Sequence, residues 1–340
     1  MRPLRSYKLP FLLFTLLLVF CFFVNISLGS VYIPLKQIIS VLFNGETEKQ
    51  AWDYIILNYR IPKAVTAILT GSGLAVSGLL MQTLFRNPLA GPFVLGISSG
   101  ASLGVALLIM GASTLGITVF LSNVSLAVAA TAGSFLVLLA VISVSIKVRD
   151  TMAILIIGLM FGSITSAVVS VLSYFSSAEK LQQYIFWSFG SLGNLGWNEL
   201  LFLFLLVLFG IAMSIFSLKS LNSLLLGENY ARSLGTDIRK SRLIIIFATS
   251  ILAGGITAFA GPIAFVGLAV PHLTRQVFNT TNHKVLLPAV ILYGAILMLI
   301  CDTIAQWPAS EFTLPINAIT SIVGAPVVIW LLVRKRKMIF

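Results

Sequence analysis

The fold class this sequence predicts is an all-α protein integral to a membrane, crossing it about ten times. Three observations predict it. Of 340 residues, 58% are hydrophobic and only 9% charged, with a mean hydropathy of +1.04. A soluble domain is about half apolar and has about a quarter of its residues charged, so a water-soluble enzyme is excluded. Long apolar runs recur between polar breaks, at 9–29, 61–82, 93–110, 119–146, 151–175, 197–218, 243–260, 262–273, 285–301 and 315–333. They lack the two-residue alternation of barrel strands, so their backbone N–H and C=O groups must be satisfied within helices.

Taken in order, the first run follows Arg2, Arg5 and Lys8 as a signal peptide would. No small-x-small cleavage site follows Val24, with Ser27 and Gly29 the nearest small residues, and many spans come after it; the first helix is expected to be retained. The second run carries Ala67, Gly71 and Ala75 at four-residue spacing, with Gly73 and Ser77 beside them. The fifth carries Gly158, Gly162, Ser166 and Ser170 at the same spacing. Such stripes let helices approach closely or leave room along a pathway, and tight packing is the simpler reading. The run at 262–273 is short, and charge arbitrates whether it crosses. If it does, both termini are cytoplasmic and only Lys36, Lys49, Arg60, Lys63 and Lys180 of the 22 basic residues lie outside. If it does not, the basic residues divide evenly between the two sides. The positive-inside rule selects the crossing, and a short segment begun by Pro262 must then be surrounded by protein.

The net charge of +12 is therefore orientation signal, and no basic face interleaved with aromatics supports nucleic-acid binding. There is no phosphate-binding G-x-x-x-x-G-K-[ST] loop, H-E-x-x-H, G-x-S-x-G or C-x-x-C. Cys21 and Cys301 lie far apart in apolar runs, and His272 and His283 lack the company that a metal site or general base requires. No catalytic residue, metal site or bound cofactor is expected. The charges fall at or near helix ends, which removes the best evidence for an ion-coupled secondary transporter, the competing class.

Two loops on the cytoplasmic side carry more information. In residues 82–93, Pro88 and Pro92 bar a continuous helix. Within the segment 219–238, residues 226–235 read as a short amphipathic helix closed by Gly235. Leu226, Tyr230, Ala231 and Leu234 are expected on its less polar side, with Glu228 and Arg232 forming an i,i+4 pair. So few apolar residues hold a membrane surface weakly, so docking onto a partner is the expectation.

At these residues the sequence resembles the FecCD family, the membrane subunits of binding-protein-dependent ABC importers for ferric siderophores, haem and cobalamin. The segment R-I-P-K at 60–63 resembles the family's R-x-P-R entry to the second helix. Residues 75–78, Gln82, then Arg86, Asn87, Pro88, Leu89 and Ala90, and further Leu95, Gly96, Gly100 and Ala101, resemble its longest signature. Leu226, Gly227, Ala231, Arg232, Leu234 and Gly235 resemble its coupling segment. Phe265 to Leu268, with Pro271, His272 and Arg275, resemble its G-L-x-x-P-H-x-x-R stretch, and G-A-P at 324–326 its last helix. The matches run in order over about residues 15–335.

The resemblance implies a type II ABC importer permease fold, with 1–340 forming a single transmembrane domain in a bacterial cytoplasmic membrane. It implies a second permease subunit, a homodimer being expected, with the pathway between the two. Two cytoplasmic ATPase subunits, which use the ATP and magnesium, would dock on residues 226–235, Glu228 included. A soluble binding protein would deliver cargo outside, pairing with Arg60 and Lys63; the plain alternative for these two is an interfacial anchor. The fifth-helix stripe at Gly158, Gly162, Ser166 and Ser170 would line the pathway, with Asp150 and Thr151 as gate residues. A ferric siderophore is the expected cargo, with haem and cobalamin open. Three departures stand out: Lys63 replaces an arginine, Gln306 stands where some members carry another docking arginine, and T-L-P-I-N at 313–317 replaces E-L-P-I-G.

Overall fold

The protein's fold is available as a computed structural model that describes residues 7–29, 31, 33–43, 49–111, 122–148, 151–306 and 313–333. Asp150 lies outside the described residues, as does the side chain of Thr151. Every regular element among them is a helix. In chain order these are α1 (Lys8–Ser27), α2 (Leu35–Leu42), α3 (Gln50–Ile55), α4 (Ile61–Leu84), α5 (Ile97–Ala106), α6 (Asn123–Lys147) and α7 (Thr151–Tyr174). They continue as α8 (Ala178–Ser188), α9 (Trp197–Phe216), α10 (Leu218–Leu224), α11 (Glu228–Ser233), α12 (Ile238–Ala260), α13 (Val266–Phe278), α14 (His283–Ala305) and α15 (Ile316–Val333). Each of the ten apolar runs falls on a helix. Among the described residues, seven helical stretches are long and apolar enough to span a membrane, and two shorter apolar ones cover 97–111 and 316–330. The remaining run, 262–273, becomes α13.

The bundle is built around α4. A π-helical turn at Ile56–Arg60 joins α3 to α4 in one 35-residue rod, Gln50–Leu84. Pro62 sits in the first turn of α4, where its missing N–H breaks no helical bond. Most of α4 is buried, against α14, α12, α13 and α9. Its small residues explain how: a Cβ on Gly71 would stand 2.1 Å from the Gly294 carbonyl oxygen of α14. One on Gly78 would stand 1.7 Å from that of Gly267 in α13. The second-run stripe is therefore a packing face, where backbone meets backbone. By contrast only 17% of the apolar stretch is buried in α1 and in α7, against 83% for the rod containing α4, so their exposed leucines, isoleucines and methionines suit lipid or another membrane subunit.

The short segment is buried as expected, with shifted bounds. Residues 262–264 form no helix; α13 begins at Val266, after Phe265 at a φ of 65°, and runs on to Phe278. Pro271 lies inside it. Lacking an N–H, Pro271 leaves the Gly267 carbonyl without its helical donor. That is the carbonyl Gly78 approaches, so the break in the ladder falls where α4 comes closest. At the far end Phe278 packs against Phe11 and Phe14 of α1, with ring centroids 5.0 and 5.6 Å apart.

The departure at Asn317 has a local explanation. Its side-chain oxygen accepts from the Ala264 N–H at 3.1 Å, and its own N–H donates to the Phe189 carbonyl at 3.2 Å. Asn317 thereby stitches the start of α15 to the turn before α13 and to the loop after α8.

Candidate functional site

Residues 218–237 gather at one end of the bundle. Ser217 ends α9, the chain turns into α10, and Gly227 at a φ of 100° redirects it into α11. Gly235 at a φ of 78° closes the segment, its N–H donating to the Arg232 carbonyl while Thr236 N–H donates to Ala231. Asp237 then caps α12 by accepting from Lys240 N–H at 3.1 Å.

Two details differ from expectation. Ala231 is fully buried, whereas Leu226, Tyr230 and Leu234, at four-residue spacing, are 60%, 55% and 51% exposed. The exposed face is thus an apolar row with Arg232 beside it, and Ala231 is the point where α11 touches the bundle. Glu228 is ion-paired with Arg242 of α12, Nη2 to Oε1 at 3.2 Å, and that partner replaces the expected Arg232. Arg242 is buried, and a buried guanidinium requires an anion or carbonyl, while Arg232 is exposed and gains little from pairing. A second nitrogen of Arg242, Nη1, donates to the Val148 carbonyl at the end of α6, at 3.1 Å.

The signature loop reaches the same end. Arg86, exposed and at a φ of 47°, brings its guanidinium beside Gly227. Asn87 accepts from the Leu89 N–H through its side chain at 2.9 Å, and its own N–H donates to the Gln82 carbonyl, which holds the turn ahead of Pro88. Gln82 is wholly buried: its amide nitrogen donates to the Leu268 carbonyl at 3.0 Å and its oxygen accepts from Arg275 Nη1 at 2.7 Å. Two separate signature stretches, around residues 82 and 275, therefore meet in one buried contact.

His283, at the start of α14, is fully buried between Thr83 Oγ1 at 2.8 Å and Asn222 Oδ1 at 2.9 Å, and its backbone N–H donates to the same Asn222 oxygen. The network ties α10 to α4 and α14. His272 contacts Gln276 at 3.2 Å. No group of three or more His, Cys, Asp and Glu able to hold a metal ion occurs among the described residues.

The fifth-helix stripe divides. Gly158 is buried against Val94 and Leu95, and Gly162 faces Ser99, so these two let α7 close on the turn before α5. Ser166 and Ser170 are exposed, the Ser170 hydroxyl donating to the Ser166 carbonyl. Only the two serines remain on an open face of this chain, and Thr151 begins the helix.

Arg60 and Lys63 lie at the opposite end and are engaged internally. Arg60 is 9% exposed and its guanidinium donates to the carbonyls of Ile26, Ser27 and Val31. Lys63 pairs with Asp302 at 3.1 Å; Asn25 donates to the other Asp302 oxygen at 2.9 Å, and Gln306 donates to it as well. Arg60 is thus committed to shaping the chain between α1 and α2, because its burial demands the carbonyls that surround it.

Arg242, Asn222 and the Asp302 cluster escaped the sequence reading. By sequence position alone Asp302 and Arg242 read as loop or helix-end charges. A signal existed for Arg242: residues 238, 241, 242, 245, 246 and 249 are all buried and recur at three- and four-residue spacing, so the arginine lies on the inward stripe of α12.

Comparison with known proteins matches residues 17–334 to the FecCD transport family. The chain is 37% identical over 316 residues to the hemin transport system permease protein HmuU of Yersinia pestis, covering 92% of this chain and 93% of the relative. It is 34% identical over 323 residues to the vitamin B12 import system permease protein BtuC of Klebsiella pneumoniae, covering 95% and 92%. A solved structure described as an inward-facing conformation of a metal-chelate type ABC transporter superposes with a TM-score of 0.85 at 32% identity, covering 97% of this chain and all of the other. With the family matched over nearly its whole length, a bundle of membrane-spanning helices and its signature segments joined in space, this multi-pass membrane protein belongs to the FecCD transport family of ABC importer permeases.

Proposed function

We propose that this chain forms, with a second permease subunit, the membrane pathway of a bacterial inner-membrane importer for a bulky metal chelate. Haem is the first cargo to test, since HmuU is named for hemin; cobalamin follows from BtuC, and a ferric siderophore completes the set. The observation that carries the reading is the apolar row Leu226, Tyr230 and Leu234, held out from one end of the bundle on a short helix whose other side is anchored through Ala231 and Glu228. An exposed, anchored apolar row of this size suits docking onto a protein partner. That partner is a cytoplasmic ATPase subunit, which supplies the hydrolysis. The binding protein docks at the opposite end, where Lys63 is partly exposed and Arg60 supports the fold beneath.

The test is reconstitution of the permease with its ATPase subunits and binding protein in proteoliposomes. ATP-dependent uptake of haem, cobalamin or a ferric siderophore is the expected result. A permease that purifies without an ATPase and moves none of these cargoes with ATP would overturn the reading and favour an ion-coupled transporter.

A further inference from the structure

Two contacts between separate elements converge at Arg242. It grows from α12, yet among the described residues its guanidinium reaches two other elements: Glu228 of α11 through Nη2, and the Val148 carbonyl at the end of α6 through Nη1. Val148 stands three positions before Thr151, where α7 starts, and α7 shares with α1 the least buried apolar stretch and bears exposed Ser166 and Ser170. The guanidinium is planar and rigid, its side chain 7% exposed, so its two contacts hold α11 and the α6–α7 junction at a fixed spacing. Meanwhile the other half of the segment is tied through Asn222 and His283 to α4 and α14, the centre of the bundle. The segment is therefore attached to the core, through Asn222 and His283, through the Ser241 hydroxyl on Ser220 and through buried Ala231, and by way of Arg242 to the end of α6 as well.

We propose that Arg242 is a positioning residue for transport: its double contact carries displacement of α11 to the start of α7. This rests on the importer reading above. A push on the exposed face of α11 moves Glu228, Glu228 moves the Arg242 guanidinium, and the guanidinium moves the carbonyl that closes α6. Such a contiguous network is a physical route for coupling, and it stands or falls on measured coupling.

The experiment measures uptake per ATP hydrolysed, thermal stability and retention of the ATPase in the full complex. The variants are Arg242→Met, Arg242→Lys and the exchanged pair Glu228→Arg with Arg242→Glu. Arg242→Met is expected to lower uptake per ATP about tenfold, the scale of one charge-assisted hydrogen bond, with the ATPase still bound. Arg242→Lys recovers part of it. The exchanged pair restores thermal stability without restoring uptake per ATP, because a glutamate at 242 cannot donate to the Val148 carbonyl. Recovery of both by the exchanged pair, or undiminished coupling in Arg242→Met, would overturn the proposal and leave the ion pair a structural one.

Should Arg242→Met fail to fold, spin labels at Asn229 and Met152 in otherwise unaltered protein give an independent reading, since both residues are exposed. The interlabel distance is expected to hold within about 2 Å between nucleotide-free and ATP-bound complexes, as for two elements moving together. A larger change would overturn the proposal. Absence of ATP-driven uptake by the unaltered protein is a failure of the importer reading instead, so the two are distinguishable.

Discussion

Lys63, partly exposed, and Asp302, buried, form an ion pair at 3.1 Å that closes the end of the bundle opposite the α11 segment. The carboxylate is 3% exposed and accepts also from Asn25 and Gln306, so α1, α4 and α14 converge on one charge. Removing one partner of such a pair strands the other, which costs about 3 kcal/mol or more, while replacing both with apolar groups restores much of the loss. Lys63→Met and Asp302→Leu are each expected to lower the detergent-solubilised Tm by several degrees, with the double variant above either single one. A double variant whose loss equals the sum of the two would show that the pair is not coupled.

Arg60 makes a contrasting case. Its carbonyl partners belong to the end of α1 and the chain that follows, so Arg60→Met should act through folding. Three bonds from a charged donor, each worth about 1.5 kcal/mol or more, are lost, and Arg60→Lys should recover part. Binding-protein affinity of the folded fraction at low salt should stay within about twofold, because a group this buried adds no rim charge to an encounter. A large, salt-dependent loss of affinity in Arg60→Met protein of native Tm would return Arg60 to the docking surface.

Gly78 is the least replaceable glycine on α4. A Cβ there would overlap the Gly267 carbonyl, and backbone cannot step aside as a flexible side chain can. Gly78→Ala should abolish or severely reduce the yield of folded protein. Gly91→Ala, where nothing lies within 4 Å, should express as well as the parent. Equal expression of both variants would refute the close crossing of α4 and α13.

The sequence made the helices and the family legible, because hydropathy over a window of about twenty residues is set by the bilayer and needs no tertiary knowledge. It also foretold that the segment at 262–273 would be enclosed, since a crossing too short for lipid must be wrapped in protein. What stayed hidden was which charge meets which. The i,i+4 rule sees a single helix, so it joined Glu228 to Arg232, while the buried guanidinium one element away has the stronger claim. Asp302 and Arg60 looked like boundary charges because polarity by position cannot reveal that three neighbouring elements fold over them. Small residues at 158 and 162 suit packing more simply than a pathway, and in this chain Leu95 and Ser99 arrive against them.

The exposed row on α11 yields the sharpest separation of docking from stability. Leu226, Tyr230 and Leu234 are each more than half exposed and lie outside the buried core, so truncating them removes little core packing. Their apolar area is available to a partner, and a compact cluster of this kind, with Tyr and Arg among its members, is where binding energy concentrates. Tyr230→Ala with Leu234→Ala should therefore leave the Tm of the isolated permease within a degree or two, yet cost more than tenfold in affinity for the ATPase subunit. Arg232→Glu should weaken the same association, and more so at low salt, since its side chain is exposed and its field is screened by ions. Pull-down of the ATPase by the folded variants checks both. Undiminished recovery would place the docking surface elsewhere on that end of the bundle, with the signature turn at Arg86, adjacent to Gly227, the next position to probe.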